Sequence, residues 1–366
     1  MLCYACQTDN LATANHCQSC ATSLRPARAA FHLDLAEQAI LNGRYQQAEA
    51  ALRAADLEML ALSLAQRHEH SLTARAFWLQ GSLYNARGFF AEAKAELLLA
   101  QAELADKPAS LLRAEILNRL GVVCSYQGQM TEAEAYYQES AANALAATAP
   151  TVATRALINL GTVLASDGRA DAAASYYAQA LAQARLSTDQ GSQARVCRAL
   201  AGLYASYGPY NLAVDYARQA LALREEVEEL QSYVILVCAA SRVLVVWGEL
   251  SEAEGYLNEA YKRAQQSGNQ RLEEQVLVEL ASLMEKAGQH DAWQRYVEQL
   301  ILVDKSGSAS GVAVKTSLLS YALAEQDWGQ ARRLVAELKT LAAANPSTRE
   351  AATQAKARLH NALGEW

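Results

Sequence analysis

One spacing constrains this chain more than anything else in it. A glycine followed two residues later by an aromatic or apolar residue, and five later by alanine, recurs along most of its length. "NGRYQQAEAAL" at Gly43 is matched by stretches at Gly88, Gly128, Gly168, Gly208, Gly248 and Gly288, at an interval of 45 and then of 40 five times over. An eighth copy, "EQDWGQARRLV", follows after 38 residues with Gln326 in the glycine's place. A unit of this size cannot bury its apolar face alone, so copies must stack and share a core. Each glycine reads as the end of one helix and the turn into the next, where a residue without a side chain suits the left-handed backbone. Seven residues before the glycine stands a small residue (Gly81, Gly121, Gly161, Ala201, Ser241, Ala281), and five after it another (Ala48, Ala93, Ala133, Ala173, Ala213, Ala253). Small residues at facing points predict antiparallel helices in close approach. Trp293 breaks this series and predicts different packing in the seventh copy.

Composition agrees with a helical, well-buried chain. Of 366 residues, 52% are apolar and 19% charged, and five prolines with 18 glycines argue against a turn-rich β protein. A net charge of −7 argues against a dedicated nucleic-acid binder. Met1-Leu2-Cys3-Tyr4 lacks the basic and apolar regions of a secretory signal. The most apolar stretch, Val234 to Val246, is interrupted by Arg242 and too short to span a bilayer. The expected setting is a reducing cytoplasm, without a membrane partner.

The repeat resembles the tetratricopeptide repeat. "LINLGTVLASDGRADAAASYYAQAL" (Leu157 to Leu181) is the best copy, with Leu160, Gly161, Leu164, Gly168, Ala173, Tyr177 and Ala180 in the family's positions. The longer period is similar to that of kinesin light chains and of bacterial peptide- or sugar-sensing regulators. The resemblance implies an all-α fold: a right-handed α-solenoid of about eight helical hairpins over residues 33–345, closed by a capping helix within 346–366. "DKSGSASG" (Asp304 to Gly311) reads as a flexible loop inside it.

Ahead of the repeats, Cys3, Cys6, Cys17 and Cys20 form two Cys-x-x-Cys pairs ten residues apart. One tight turn supplies two thiolates, and two turns supply a tetrahedral zinc site with no open position, which makes the metal structural, not catalytic. Two disulfides or a redox pair are the alternatives. Residues 1–24 resemble the short zinc ribbons found before many bacterial regulatory domains, although Gln7 and Ala21 stand where such knuckles usually carry glycine. So small a peptide would take its folding energy from Zn2+. Residues 25–32, with Pro26, read as a linker.

A solenoid of this type holds its ligand on the face lined by the first helix of each repeat. Counting back from the turn glycines places Trp78, Asn118, Arg119, Tyr126, Arg155, Asn159, Arg195, Arg198 and Arg242 there. The resemblance implies that asparagine, Asn159 above all, holds a peptide backbone. Arginine's planar fork suits carboxylate or phosphate. The competing reading pairs these arginines with nearby acids such as Glu115 on a solvated face. Cys124, Cys197 and Cys238 fall at apolar helical positions and read as buried thiols. "HEH" (His68 to His70) lacks metal-pair spacing and reads as a turn. "GSASGVAVKT" has its lysine too late for a phosphate loop. No catalytic arrangement stands out, so the expected function is a non-enzymatic scaffold binding a peptide or protein segment in its groove, with the zinc head as a second docking surface. A ligand sensor whose superhelix tightens on a peptide or small metabolite is the alternative.

Overall fold

The computed structural model describes residues 9, 16–20, 23–63, 66–67, 71–106, 108–303, 311–344 and 349–363. They form seventeen α-helices, one short 3-10 turn and, among the described residues, no strand beyond isolated bridging pairs such as His16 with Ser23. The chain divides into two compact units, Met1–Asp189 and Gln190–Trp366. The first holds four hairpins: α1 (Arg25–Leu41) with α2 (Tyr45–Leu60), α3 (Leu72–Ala86) with α4 (Phe90–Ala102), α5 (Leu111–Tyr126) with α6 (Met130–Ala146), and α7 (Pro150–Ser166) with α8 (Ala170–Leu186). The second holds α9 (Gln190–Tyr207) with α10 (Tyr210–Ala222), α11 (Leu230–Val246) with α12 (Leu250–Ser267), α13 (Gln270–Lys286) with α14 (His290–Val303), and α15 (Gly311–Ala324) with α16 (Trp328–Ala344). A last helix, α17 (Arg349–Leu363), packs on α15 and α16 as a cap. No described helix is long and apolar enough to cross a membrane.

The predicted turns are where the period puts them. All seven repeat glycines take positive φ, from 67° to 83°. At six of the seven the chain closes with the paired bonds of a Schellman end, as where the Arg169 amide donates to the Leu164 carbonyl at 2.9 Å. At Gly208 the following Pro209 has no N–H to give, and the Gly208 amide donates to the Tyr204 carbonyl at 2.8 Å. Gln326 takes the same left-handed backbone, φ 57°, and Asp327 closes the same bond onto Ala322 at 2.8 Å. The period therefore overrides residue preference there. A second left-handed series ends the second helix of several repeats, at Thr148, Thr188 and Gly268, and it too is spaced by multiples of 40. Nothing in threonine's chemistry announces it.

Facing small residues are present, with one refinement. A Cβ on Gly121 would lie 2.6 Å from the Tyr137 ring, and one on Gly161 2.5 Å from the Tyr177 ring. The glycines thus admit a tyrosine from the partner helix, sixteen residues later. At Gly81 a backbone oxygen of the predicted partner, Ala93, would lie 3.1 Å from such a Cβ. Trp293 is buried and tilts against Tyr321 at 5.9 Å, so the seventh repeat packs through an aromatic pair as its sequence requires.

The linker is a correction. Residues 25–32 are the first turns of α1, with Pro26 buried in the first turn and Ala29 and Leu33 in the core. Proline lacks only an N–H that a helix start leaves unbonded anyway, so it opens this helix instead of preceding it. Of the head, Cys3 and Cys6 lie outside the described residues, as do "HEH" and residues 304–310 of the expected loop.

Candidate functional site

The predicted residues fall on five helices, and all but Trp78 form two groups. Asn118, Arg119 and Tyr126 lie on α5, and Arg155 and Asn159 on α7, all in the first unit. Arg195 and Arg198 lie on α9 and Arg242 on α11, in the second. Trp78 on α3 is a core residue, 9% exposed, and its buried indole N–H has no partner among the described residues.

The first group is brought together by register. Residues forty apart in adjacent repeats are neighbours, so Glu115 on α5 meets Arg155 on α7 in an ion pair. The Asn159 amide Nδ2–H donates to Asn118 Oδ1 at 3.1 Å. That bond corrects the expectation for Asn118: at 4% exposure it is closed to a ligand and instead orients the half-buried Asn159. Arg119 is different from every other predicted arginine. It is half-buried near Glu115 and Arg155, and no hydrogen bond or ion pair engages it among the described residues. Burial, and then the Arg155 charge, push its guanidinium below the usual value, while Glu115 pulls the other way. An arginine so held is under-compensated, which is the condition an incoming anion relieves.

Farther along α5, a cavity of about 320 Å³ whose lining does not include Arg119 is bounded on α5 by Ser125 and Tyr126, on α6 by Met130 and Tyr137, and on α7 by Asn159 and Thr162. Tyr137 explains its floor. The ring occupies the space left by Gly121, its hydroxyl shares a hydrogen with Ser125 Oγ at 3.3 Å, and burial pushes that hydroxyl up to about 12. Tyr126 stands 67% exposed at the rim and stacks on Phe90 at 5.0 Å. Its ring is thereby held upright with one face covered.

In the second group the arginines are engaged separately. Arg195 Nη2 donates to Ser192 Oγ at 2.7 Å, and Arg242 pairs with Glu279 at 3.2 Å. Burial raises Glu279 above the usual carboxylate range, with Arg242 opposing. Arg242 and Arg155 thus follow the competing reading of a face of ion pairs. The three repeat cysteines, Cys124, Cys197 and Cys238, are buried, and burial pushes the Cys124 and Cys238 thiols up, away from thiolate chemistry.

At the head, Cys17 is buried against Leu24, Cys20 is exposed on the same turn, and the Ser19 amide N–H points at Cys17 Sγ at 3.4 Å. An N–H aimed at sulfur from two residues on is what a Cys-x-x-Cys metal turn requires. The described residues contain no group of three metal-ligating side chains.

Comparison with known proteins settles the type of repeat. Residues 152–226 and 114–142 match tetratricopeptide repeat family models. These segments are tetratricopeptide repeats. No curated protein matches the chain. Among solved structures, a Rap protein complexed with competence and sporulation factor is similar at a TM-score of 0.57 and 15% identity, covering 93% of this chain and 98% of the other. The apo form of RapI is similar at 0.57 and 12%, covering 91% and 98%. The Rap conjugation gene regulator of plasmid pLS20 in complex with the Phr* peptide is similar at 0.51 and 14%, covering 92% and 96%. At such identities the likeness is one of fold, here of stacked tetratricopeptide hairpins.

Proposed function

We propose that this chain is a binding scaffold, not an enzyme, and that α5, α6 and α7 hold a peptide or protein segment carrying an acidic group. The observation that carries this reading is Arg119, half-buried and without an ion pair among the described residues, on the same helix as Asn118, which fixes the orientation of Asn159. Arg119 supplies the anion contact, Asn159 a donor and acceptor for peptide backbone, and the upright Tyr126 a flat apolar edge. That two of the similar folds are complexes, one with competence and sporulation factor and one with the Phr* peptide, supports the choice of ligand class. At the head, Cys17 and Cys20 would share a structural zinc ion with Cys3 and Cys6, giving a second docking surface. Zinc there would stabilise a segment too short for its own core.

The test is affinity capture from native lysate with the full chain, Arg119→Gln/Asn159→Ala and Cys3→Ser/Cys6→Ser. The double substitution on α5 and α7 is expected to lose one set of bound proteins and the cysteine variant a different set. Metal analysis should find one zinc per wild-type chain. Identical captures from wild type and Arg119→Gln/Asn159→Ala remove this site from the function.

A further inference from the structure

The repeat period has one large irregularity, and a cavity lies on it. The interval between the first two turn glycines is 45, not 40, and the extra length falls in residues 61–71, between α2 and α3. Correspondingly, α2 packs less closely on α3 than α6 packs on α7. Where they separate, a cavity of about 430 Å³ is walled by Leu52 and Met59 from α2 and by Phe77 and Tyr84 from α3. A volume of that order suits a small molecule.

Two further departures from the pattern decide its chemistry. Eight residues after the turn glycine, five later repeats carry tyrosine (Tyr136, Tyr176, Tyr216, Tyr256, Tyr296), but the second repeat carries Glu96. Thirteen after, the third, fourth and fifth repeats bury Ala141, Leu181 and Leu221, whereas the first carries Asp56 and the second Gln101. Both carboxylates line the cavity, Glu96 half-buried and Asp56 at its open side. Neither has a hydrogen bond or ion pair among the described residues. Burial raises both above the usual carboxylate range, and Asp56 raises Glu96 further. Packing alone would favour at Glu96 the tyrosine used in later repeats; instead two carboxylates without a paired cation among the described residues face one space beside aromatic rings. Arg67 also lines it, but its Nε donates to the Leu62 carbonyl at 3.2 Å, and it forms no ion pair with either acid.

The geometry points to a binding site for a small primary amine, its ammonium group held between Asp56 and Glu96 against Phe77 and Tyr84. A cation there supplies the charge both carboxylates lack, and the ring faces favour it. Arg67 leaves room for a carboxylate on the same molecule, so a free diamine and a basic amino acid share the required chemistry. This site is separate from the one at Arg119.

Calorimetric titration of the full chain with cadaverine, lysine and, as an anion of similar length, glutarate tests it. Saturable binding of cadaverine or lysine is expected, and none of glutarate. Asp56→Asn and Glu96→Gln should each weaken amine binding by about tenfold or more, and Glu96→Tyr should abolish it by filling the space. Arg119→Gln should leave it unchanged. If lysine binds better than cadaverine and Arg67→Gln removes the difference, the carboxylate is read as well; equal binding assigns recognition to the ammonium alone. Melting curves keep the variants interpretable, because removing an uncompensated charge should leave them at least as stable as wild type. No saturable binding of either amine, equal binding of glutarate, or binding that survives both amide substitutions overturns the assignment.

Discussion

Gly121 and Gly161 show how one atom sets what its partner helix can carry. Where the first helix has glycine at this register, as at Gly121 and Gly161, the second has Tyr137 or Tyr177; where it has Ala201, Ser241 or Ala281, the second has Ala217, Leu257 or Val297. The large ring enters only where no Cβ stands in its way, and Gly81, opposite Leu97, shows that glycine permits without requiring it. Gly161→Ala is therefore expected to destabilise the protein by about 1–3 kcal/mol, measured by urea unfolding. Helix propensity alone would give the opposite sign, since alanine is favoured over glycine by about 1 kcal/mol in a helix interior. Adding Tyr177→Leu should recover part of the loss. If Gly161→Ala stabilises, the ring is not confined as described.

At the scale of elements, the meeting of α2, α3 and α4 departs from the other repeats and carries an electrostatic cost. Glu96 on α4 faces Asp56 on α2, with Arg67 the cation lining the same space. Because burial raises their folded values, both acids bind a proton more tightly in the folded chain than in the unfolded one. The cost is fully present at neutral pH and fades as pH falls through the raised folded values toward the unfolded ones. Glu96→Gln should thus melt above wild type at pH 7, with the difference shrinking as the pH approaches 4. A difference that stays constant over that range would show that the carboxylate's charge is not its cause. The cross-repeat pairs on the exposed faces, such as Lys94 with Glu132 at 2.7 Å and Arg263 with Glu225 at 2.7 Å, are worth only about 0–1 kcal/mol each.

For the whole molecule, stability is carried between neighbouring hairpins, so damage at one end should stay local. The cap α17 buries Ala355 and Leu359, and Arg358 donates to Ser320 Oγ on α15 at 3.2 Å. Deleting residues 346–366 is expected to strip hydrogen-exchange protection from α15 and α16 while leaving α5 to α8 protected as before. Loss of protection throughout both units would instead mean that the hairpins unfold as one.

Sequence alone determined the repeat, its turns and its hairpin count, because each glycine acts within a few residues of itself and the period copies that local solution along the chain. It also marked Arg119, Arg155, Asn159 and Tyr126 as facing together, since register fixes helix faces. Local reasoning misjudged Pro26, which can open a helix as readily as precede one, and it had no signal for left-handed Thr148 and Thr188, whose residue type gives nothing away. Only the tertiary structure decided which arginines are engaged and which is not, that Asn118 supports Asn159 from a buried position, and that a widened interval leaves a cavity lined by two acids. Those outcomes depend on contacts between residues some forty positions apart, where burial and pairing are settled by packing and not by neighbours in the chain.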